Sequence, residues 1–413
     1  MFRCLCGAVP NTRPTMRIST ASAFNSGVDT LTTRQVELSD AQQRLSSGKR
    51  VAKASDDPAA AARAERALAG EMRSDANQRA VDASKVAMEQ TEGALADATD
   101  LLHEVRDTMV AGGNATYGDQ ERAGLAQQIK SLRDQLLVVA NRSDGAGVYL
   151  FGGQGATQPP FVDAPGGVQY IGVAGHNRTD TGTSLPLTSD GQAGWMSART
   201  GNGVFETRAG ATVTQAWIDA GTVPDPGAVT GSGYTLQFSV GAGATTYAVL
   251  KDGNPTAVTA APFTPDQAIQ VDGMSFTIHG APADGDQFEL LPSTASLTVF
   301  DVLDRAVAAL STGNRSSAQV AQGTAQNLRD IDAVLNHQQS QRAATGEVLN
   351  RIDGDTRRIA SQKLASRTER SAAEDLDMVQ AVSDFQSRQS GYDAALKSYA
   401  MVQRLSLFQY ING

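Results

Sequence analysis

The 413-residue sequence predicts an α+β protein, with long helices at both ends of the chain and a β-rich segment inserted between them. Residues 16–145 and 297–413 contain few prolines and long stretches of Ala, Gln, Leu, Arg, Asp and Glu, a composition typical of helices. Residues 155–295 instead hold most of the 14 prolines and several short runs of alternating apolar and polar residues, which indicate strands. Apolar residues recur every seven positions near both ends of the chain, which favours a coiled-coil or helical-bundle rod.

The composition argues against several classes of partner. The 35 basic residues are scattered among 44 acidic ones, with a net charge of -9 and no block of Lys and Arg, so nucleic acid is not an expected partner. The densest apolar run, LLVVA at 136–140, is far shorter than the roughly 20 residues that span a bilayer, so no membrane partner is expected. Both cysteines, Cys4 and Cys6, lie at the start, so the remainder of the chain has no disulfide or thiolate chemistry.

The first predicted helix carries an apolar heptad row. Leu31, Leu38 and Leu45 are each seven residues apart, and Phe24 and Val28 lie on the same face. The helix is expected to end at Gly48, because glycine readily adopts the left-handed conformation that terminates helices.

A helix-start motif comes next along the chain. Asp57 is a favourable N-cap, and Pro58 after it suits the first helical position, where a missing backbone amide costs nothing. The predicted helix runs toward Val110, and a further helix begins near Asp119 after the pair Gly112 and Gly113. The residues of the motif are Ser55, Asp56, Asp57 and Pro58.

The middle segment reads as strands joined by turns. Asp272 and Gly273 separate two alternating runs and predict a hairpin, since Asp-Gly tolerates the positive φ angles of a two-residue turn. The predicted strand sequences are GVQYIGV at 167–173, GYTLQFSV at 233–240, TTYAVL at 245–250, AIQVDGMSFTIHG at 268–280 and DQFELL at 286–291.

The last helix carries a second apolar heptad row. A short amphipathic helix is predicted at 302–310 and a long one from Ser316 onward. In the final helix Met378, Phe385, Tyr392 and Tyr399 recur every seven residues, with Val382 and Leu396 on the adjoining row. Further apolar residues follow near the end of the sequence, at Leu405, Phe408 and Ile411.

The two heptad rows predict assembly between molecules. About ten row side chains would contribute an upper estimate of about 15–30 kcal/mol on burial. Ordering some 40 residues costs about 1–2 kcal/mol each for the backbone alone. For one helix alone, the free energy gained by burial therefore does not exceed the entropic cost of ordering the backbone. Helix hydrogen bonds add little to stability in water. We expect both ends to be mobile in the monomer and helical once bundled with neighbouring subunits.

The same observations predict the domain organisation. Residues 1–15 are expected to be a non-native extension, with Met16 as the initiator. They lack the apolar region of a secretory signal, and the segment MRISTASAF, which begins at Met16, resembles a protein start. The remaining segments are an N-terminal assembly region at 16–57, the halves of a helical rod at 58–153 and 297–370, a β-rich domain at 154–296 and a C-terminal assembly region at 371–413.

Both ends of the chain carry recognisable motifs. RLSSGKRVAKASDDPAAAARAE, 44–65, and DLDMVQAVSDFQSRQSGYDAALKSYAMVQRLSLFQYI, 375–411, resemble the terminal signatures of the flagellin superfamily. IQVDGMSFTIHGAPADGDQFELLPS, 269–293, resembles a segment found across that superfamily. LRDQLLVVANRSDGAGVYLFGG, 132–153, and SLFQYI, 406–411, are more similar to the branch that joins hook to filament than to filament flagellins.

The resemblance implies a flagellin-like fold and a structural, non-enzymatic role in the bacterial flagellum, with no cofactor. It implies subunits that self-associate in a ring at the hook-filament junction, in contact with another hook-associated protein and with filament flagellin. It further implies export through the flagellar type III apparatus, with a chaperone on the C-terminal helix.

Three alternatives remain open. A filament or minor flagellin would share both terminal signatures. A secreted coiled-coil adhesin or effector with a β-rich binding domain would share the helices but not the reciprocal pairing of chain ends. An enzyme is disfavoured, because the histidines are scattered and no HExxH motif or Cys partner accompanies them. The histidines are His103, His176, His279 and His337.

Overall fold

The computed structural model describes residues 20–179, 184–241 and 243–411. The expected extension at 1–15 and the expected initiator Met16 lie outside these ranges. The chain divides into two compact units, one containing the residues up to Asp75 and from Ala360 onward, the other spanning Ala76–Ile359. The domain boundaries expected from the sequence stay predictions.

The helices occupy the two arms of the chain, and the predicted α+β class is confirmed. The short α4, which contains Trp195, was not predicted. The helices are α1 Thr20–Ser47, α2 Pro58–Gly112, α3 Asp119–Ala140, α4 Gly191–Trp195, α5 Val299–Ser311, α6 Ser317–Glu374 and α7 Met378–Ile411.

The strands lie between α3 and α5 and pair antiparallel. The bounds are β1 Phe161–Ala164, β2 Gly167–Tyr170, β3 Phe205–Ala209, β4 Ala216–Ile218, β5 Tyr234–Gly241, β6 Ala244–Lys251, β7 Asn254–Pro255, β8 Ala261–Pro262, β9 Ala268–Val271, β10 Met274–Gly280 and β11 Gln287–Pro292. In the described ranges they form a β1-β2 hairpin, a β4-β10-β9 sheet and a β3-β11-β5-β6-β7 sheet, with β8 paired to β6. The predicted hairpin is confirmed, since Asp272 and Gly273 have φ of +41° and +80° and join the paired strands β9 and β10.

Among the described residues, three apolar cores lie in the unit Ala76–Ile359, the smallest of them around Met88, Leu185 and Ile352. The first is helical, built from α2, α3, α5 and α6, and it also includes Phe161 of β1 and Trp195 of α4. Trp195 is fully buried, with its ring stacked 6.1 Å from that of Phe300 and edge-on to Phe151 at 5.3 Å. The first part of the β-rich segment therefore completes the helical core instead of belonging to the β core.

The second core is formed by the larger strands. Phe238 lies at its centre, with Phe263 and Phe288 edge-on to it at centroid distances of 5.0 and 5.7 Å. The alternation predicted from the sequence places Phe238 and Phe288 on the inner face of the sheet.

One buried arginine ties α3, β1 and α5 together. The guanidinium of Arg133, only 7% exposed, donates from Nη1 and Nη2 to Asp163 over 2.8 and 2.9 Å, and from Nη2 to Asp304 over 3.1 Å. The hydrogen bonds from Arg133 hold the pKa of Asp163 below its usual range and raise that of Arg133.

Among the described residues, no helix is both long and apolar enough to cross a membrane.

Candidate assembly site

Helices α1 and α7 pack against each other as an antiparallel pair. The Tyr399 ring lies 5.7 Å from that of Phe24, and a Cβ added to Gly27 would be 3.2 Å from it. Further along the pair, Arg388 approaches Glu37 at 3.8 Å. Gly27 therefore provides the space that the Tyr399 ring needs for close approach of the two helices.

The pair leaves much of both heptad rows accessible. None of the row side chains that the structure describes is fully buried. Leu31, Leu38, Leu45, Phe385, Tyr392 and Tyr399 are half-buried in the contact between the helices. The exposed fractions of the others are 48% for Phe24, 38% for Val28, 49% for Met378, 40% for Val382 and 41% for Leu396.

These five more exposed residues are here called the exposed strip. Val28 precedes Leu31 by three positions on α1, as Leu396 precedes Tyr399 on α7, and Val382 has the same offset from Phe385. Phe24 and Met378 instead lie in the heptad rows themselves, near the far end of α1 and the start of α7. Three positions back along an α-helix is a rotation of about 60° in one sense. In an antiparallel pair, the same sense of rotation leads to the same side, so Val28, Val382 and Leu396 lie on one flank of the pair.

The base of the pair is held by backbone hydrogen bonds. Gly48 has φ of +67°, and its amide donates to Arg44 over 2.9 Å, which ends α1. Its carbonyl accepts from the amide of Leu376 over 3.0 Å, while the amide of Arg50 donates to Glu374 over 2.7 Å. The segments that enter and leave the pair are thus joined to each other.

The helix-start motif forms a capped corner beside this base. The Asp57 carboxylate accepts from the amide of Ala60 over 2.9 Å as α2 begins at Pro58. Asp56 accepts from the amide of Lys53 over 2.9 Å, and these amide hydrogen bonds lower the pKa of both carboxyl groups. The remaining member of the motif, Ser55, is exposed in the turn.

The described contacts at this site are helix packing, backbone hydrogen bonds and a helix cap. In the residues that the structure describes, no group of three or more His, Cys, Asp or Glu is placed to hold a metal ion. The side chains of Leu405, Phe408 and Ile411 lie outside the described set, although the α7 backbone is described through Ile411. That the two heptad rows form an assembly interface stays a prediction.

Comparison with known proteins matches the N-terminal arm to one family and the whole chain to a curated relative. Residues 18–156 match the family described as the bacterial flagellin N-terminal helical region. The chain is 25% identical to flagellar hook-associated protein 3 of Escherichia coli K12 over 398 residues, 95% of this chain and 99% of the relative. It is 33% identical to the Salmonella typhimurium protein of the same name over 152 residues, 37% of this chain and 48% of that relative.

A solved structure agrees. The chain is similar to FlgL of Xanthomonas campestris with a TM-score of 0.65 and 29% identity, covering 75% of this chain and 99% of that one. The chain therefore contains a flagellin N-terminal helical region and is a structural component of the bacterial flagellum, as the terminal motifs indicated. It is similar to hook-associated protein 3 over nearly its whole length, and its location is the hook-filament junction. These similarities indicate association with other flagellar components.

Proposed function

We propose that this chain joins hook to filament as a ring of subunits, each bundling its α1–α7 pair with those of its neighbours through the exposed strip. The observation that carries the proposal is the strip itself. The pairing of α1 with α7 is the burial that one molecule offers to its heptad rows, and Phe24 and Met378 still remain about half exposed after it.

The size of the remaining surface supports association of modest strength. Complete burial of a large apolar side chain contributes about 1.5–3 kcal/mol. With roughly two-fifths of each strip residue still exposed, burial by a neighbour would add about 0.6–1.2 kcal/mol per residue, or about 3–6 kcal/mol for five. This is too little to hold a ring alone, since association itself costs several kcal/mol. Leu405, Phe408 and Ile411 are therefore proposed to contribute the remainder.

Three partners are proposed: two at the junction and one during export. The ring is proposed to contact another hook-associated protein on one side and filament flagellin on the other. During export, a chaperone is proposed to cover α7. The support is chemical, because an unassembled copy would leave the apolar side chains of the exposed strip in water, which favours aggregation. Helix α7 carries three of the five strip residues.

The test is a charge placed in the strip. Leu396→Asp should abolish filament attachment, because burying a carboxylate without a partner costs several kcal/mol. Ala394→Asp is the matched control: it adds the same charge two residues away, about 200° around the helix and exposed. Cells with Leu396→Asp should make hooks but shed flagellin into the medium, whereas cells with Ala394→Asp should swim.

The unfolding midpoint of the unit Ala76–Ile359, followed by fluorescence of its two tryptophans, should be the same in both variants. Normal motility of Leu396→Asp cells would contradict assembly through this strip. Equal loss of motility in both variants would show that added charge on α7, not burial of position 396, is responsible.

A further inference from the structure

A polar cleft of about 490 Å³ opens in the unit Ala76–Ile359. One wall is β3, with Glu206 and Arg208, and the other consists of α5 and α6. Four arginines and two acids line it, so its lining carries two positive charges more than negative ones. No part of the proposed assembly role uses this cleft.

The acids of the cleft are already paired. Glu206 accepts from Arg208 over 2.9 Å, and Asp330 lies 3.2 Å from Arg305. Arg329 lies between them, 3.2 Å from Asp330 and 3.7 Å from Glu206. Both carboxylates are thus shared among three guanidinium groups, which leaves no negative charge for a fourth.

The fourth guanidinium belongs to Arg315, which has no carboxylate within ion-pair distance in the described part of the chain. Its Nη2 donates to the carbonyl of Ala309 over 2.5 Å, while its Nε is buried without a hydrogen-bond partner. Burial lowers the pKa of the guanidinium, and the positive charge of Arg122 lowers it further. A half-buried cation whose Nε is buried with an unmade hydrogen bond is unfavourable unless an anion compensates it.

A second donor without a partner lines the same cleft. Gln322 is only 8% exposed, and its Oε1 accepts from the amide of Ile218 over 2.8 Å. That bond sets the orientation of the side-chain amide, so that Nε2 is the free end, and Nε2 is buried with no partner. Two buried donors and an excess of positive charge therefore occur together.

Gly323 leaves room for the guanidinium of Arg315. Gly323 lies inside α6, where glycine is a poor helix former. A Cβ at this position would be 2.9 Å from Nη1 of Arg315. The missing side chain makes room for the guanidinium against the helix, at the edge of the cleft.

We propose that this cleft binds a small tetrahedral oxyanion of the phosphate class, held by Arg315 and by the Nε2 amide of Gln322. A doubly charged oxyanion matches the surplus of two positive charges and offers acceptors to both free donors. A monocarboxylate would neutralise half of that surplus. The bound anion would connect the loop before α6 to the first turns of α6.

The test measures binding of inorganic phosphate to the full chain by isothermal titration at constant ionic strength, with chloride as the balancing anion. Arg315→Gln should weaken binding at least tenfold. Gly323→Ala should weaken it as well, because the new Cβ displaces the guanidinium, although alanine favours the helix and folding is retained. Arg142→Gln is the control, since Arg142 pairs with Asp97 outside the cleft and should leave affinity unchanged.

Sulfate should compete with phosphate, whereas acetate at the same concentration should not. No phosphate binding by the wild-type chain, or equal affinity in Arg315→Gln and Arg142→Gln, would overturn the proposal. Equal competition by acetate would replace the phosphate class with a carboxylate and overturn the charge argument.

Discussion

Replacing Arg133 with Met tests how the helical core holds the first strand of the inserted segment. Arg133 makes three charge-assisted hydrogen bonds, to Asp163 and Asp304. Bonds to charged groups contribute about 1.5–3 kcal/mol each, so three give an upper limit of about 4.5–9 kcal/mol. The acid side chains are 47% and 41% exposed and regain water once the arginine is removed. With that discount and the packing of the Met side chain, we expect a loss of about 1–3 kcal/mol in unfolding free energy at pH 7.

The loss should depend on pH with a definite sign. Arg133 holds the pKa of Asp163 below its ordinary value of 3.8 in the folded chain. A depressed carboxyl pKa stabilises the fold above the unfolded pKa, and this contribution disappears as the pH falls through the folded value. The difference between wild type and Arg133→Met should therefore be full at pH 6–7 and shrink below about pH 4.

The assay is urea unfolding followed by tryptophan fluorescence, because Trp195 is buried beside Phe161 and Phe300 in the same core. Arg142→Met is the control: it removes an arginine just after α3 whose pair with Asp97 is about half exposed, so it should cost about 0–1 kcal/mol. Equal losses in the two variants at pH 7, or a difference that persists unchanged at acid pH, would refute the reasoning.

Two further predictions concern the terminal pair and its corner. Gly27→Leu should separate α1 from α7 and speed amide hydrogen exchange in both helices, because the larger side chain collides with the Tyr399 ring, whereas the same change at Gly124, which faces open space, should not. Unchanged exchange in Gly27→Leu would contradict the pairing. Asp57→Ala should speed exchange of the Ala60 amide and fray the start of α2, while Asp57→Asn, which keeps an acceptor oxygen, should exchange as wild type does. Slow exchange in Asp57→Ala would show that the cap is not needed.

Local signals in the sequence predicted much of the fold. Periodicity of apolar residues located the helical arms, and the Asp272-Gly273 pair located a hairpin, because each depends on residues close in sequence. The short α4 was missed because five residues carry too little periodicity. The place of Trp195 in the helical core was missed because it depends on contact with Phe300, about a hundred positions away.

The assembly site and the oxyanion cleft also differ in how far the sequence could predict them. The heptad rows were readable because a repeat of seven positions marks one face of a helix, but the antiparallel register that places Val28 and Leu396 on one flank is tertiary information. The oxyanion cleft had no sequence signal at all. Arg208, Arg315 and Gln322 belong to separate elements and meet only after the β core docks on α5 and α6.

The base of the α1–α7 pair is relevant to whether the proposed assembly can be reversed without unfolding the subunit. The cores of Ala76–Ile359 are built from that unit's own residues, and the side chains of the exposed strip belong to none of them. The hydrogen bonds from the Leu376 amide to the Gly48 carbonyl and from the Arg50 amide to the Glu374 carbonyl join the two chain segments at the base of the pair. The end of α1 and the start of α7 therefore stay close together even when the contact between the helices opens. Tethering at a shared base raises the effective concentration of one helix at the other. If the strip is the assembly surface that we propose, we expect a subunit to open and re-form its pair while the unit Ala76–Ile359 remains folded.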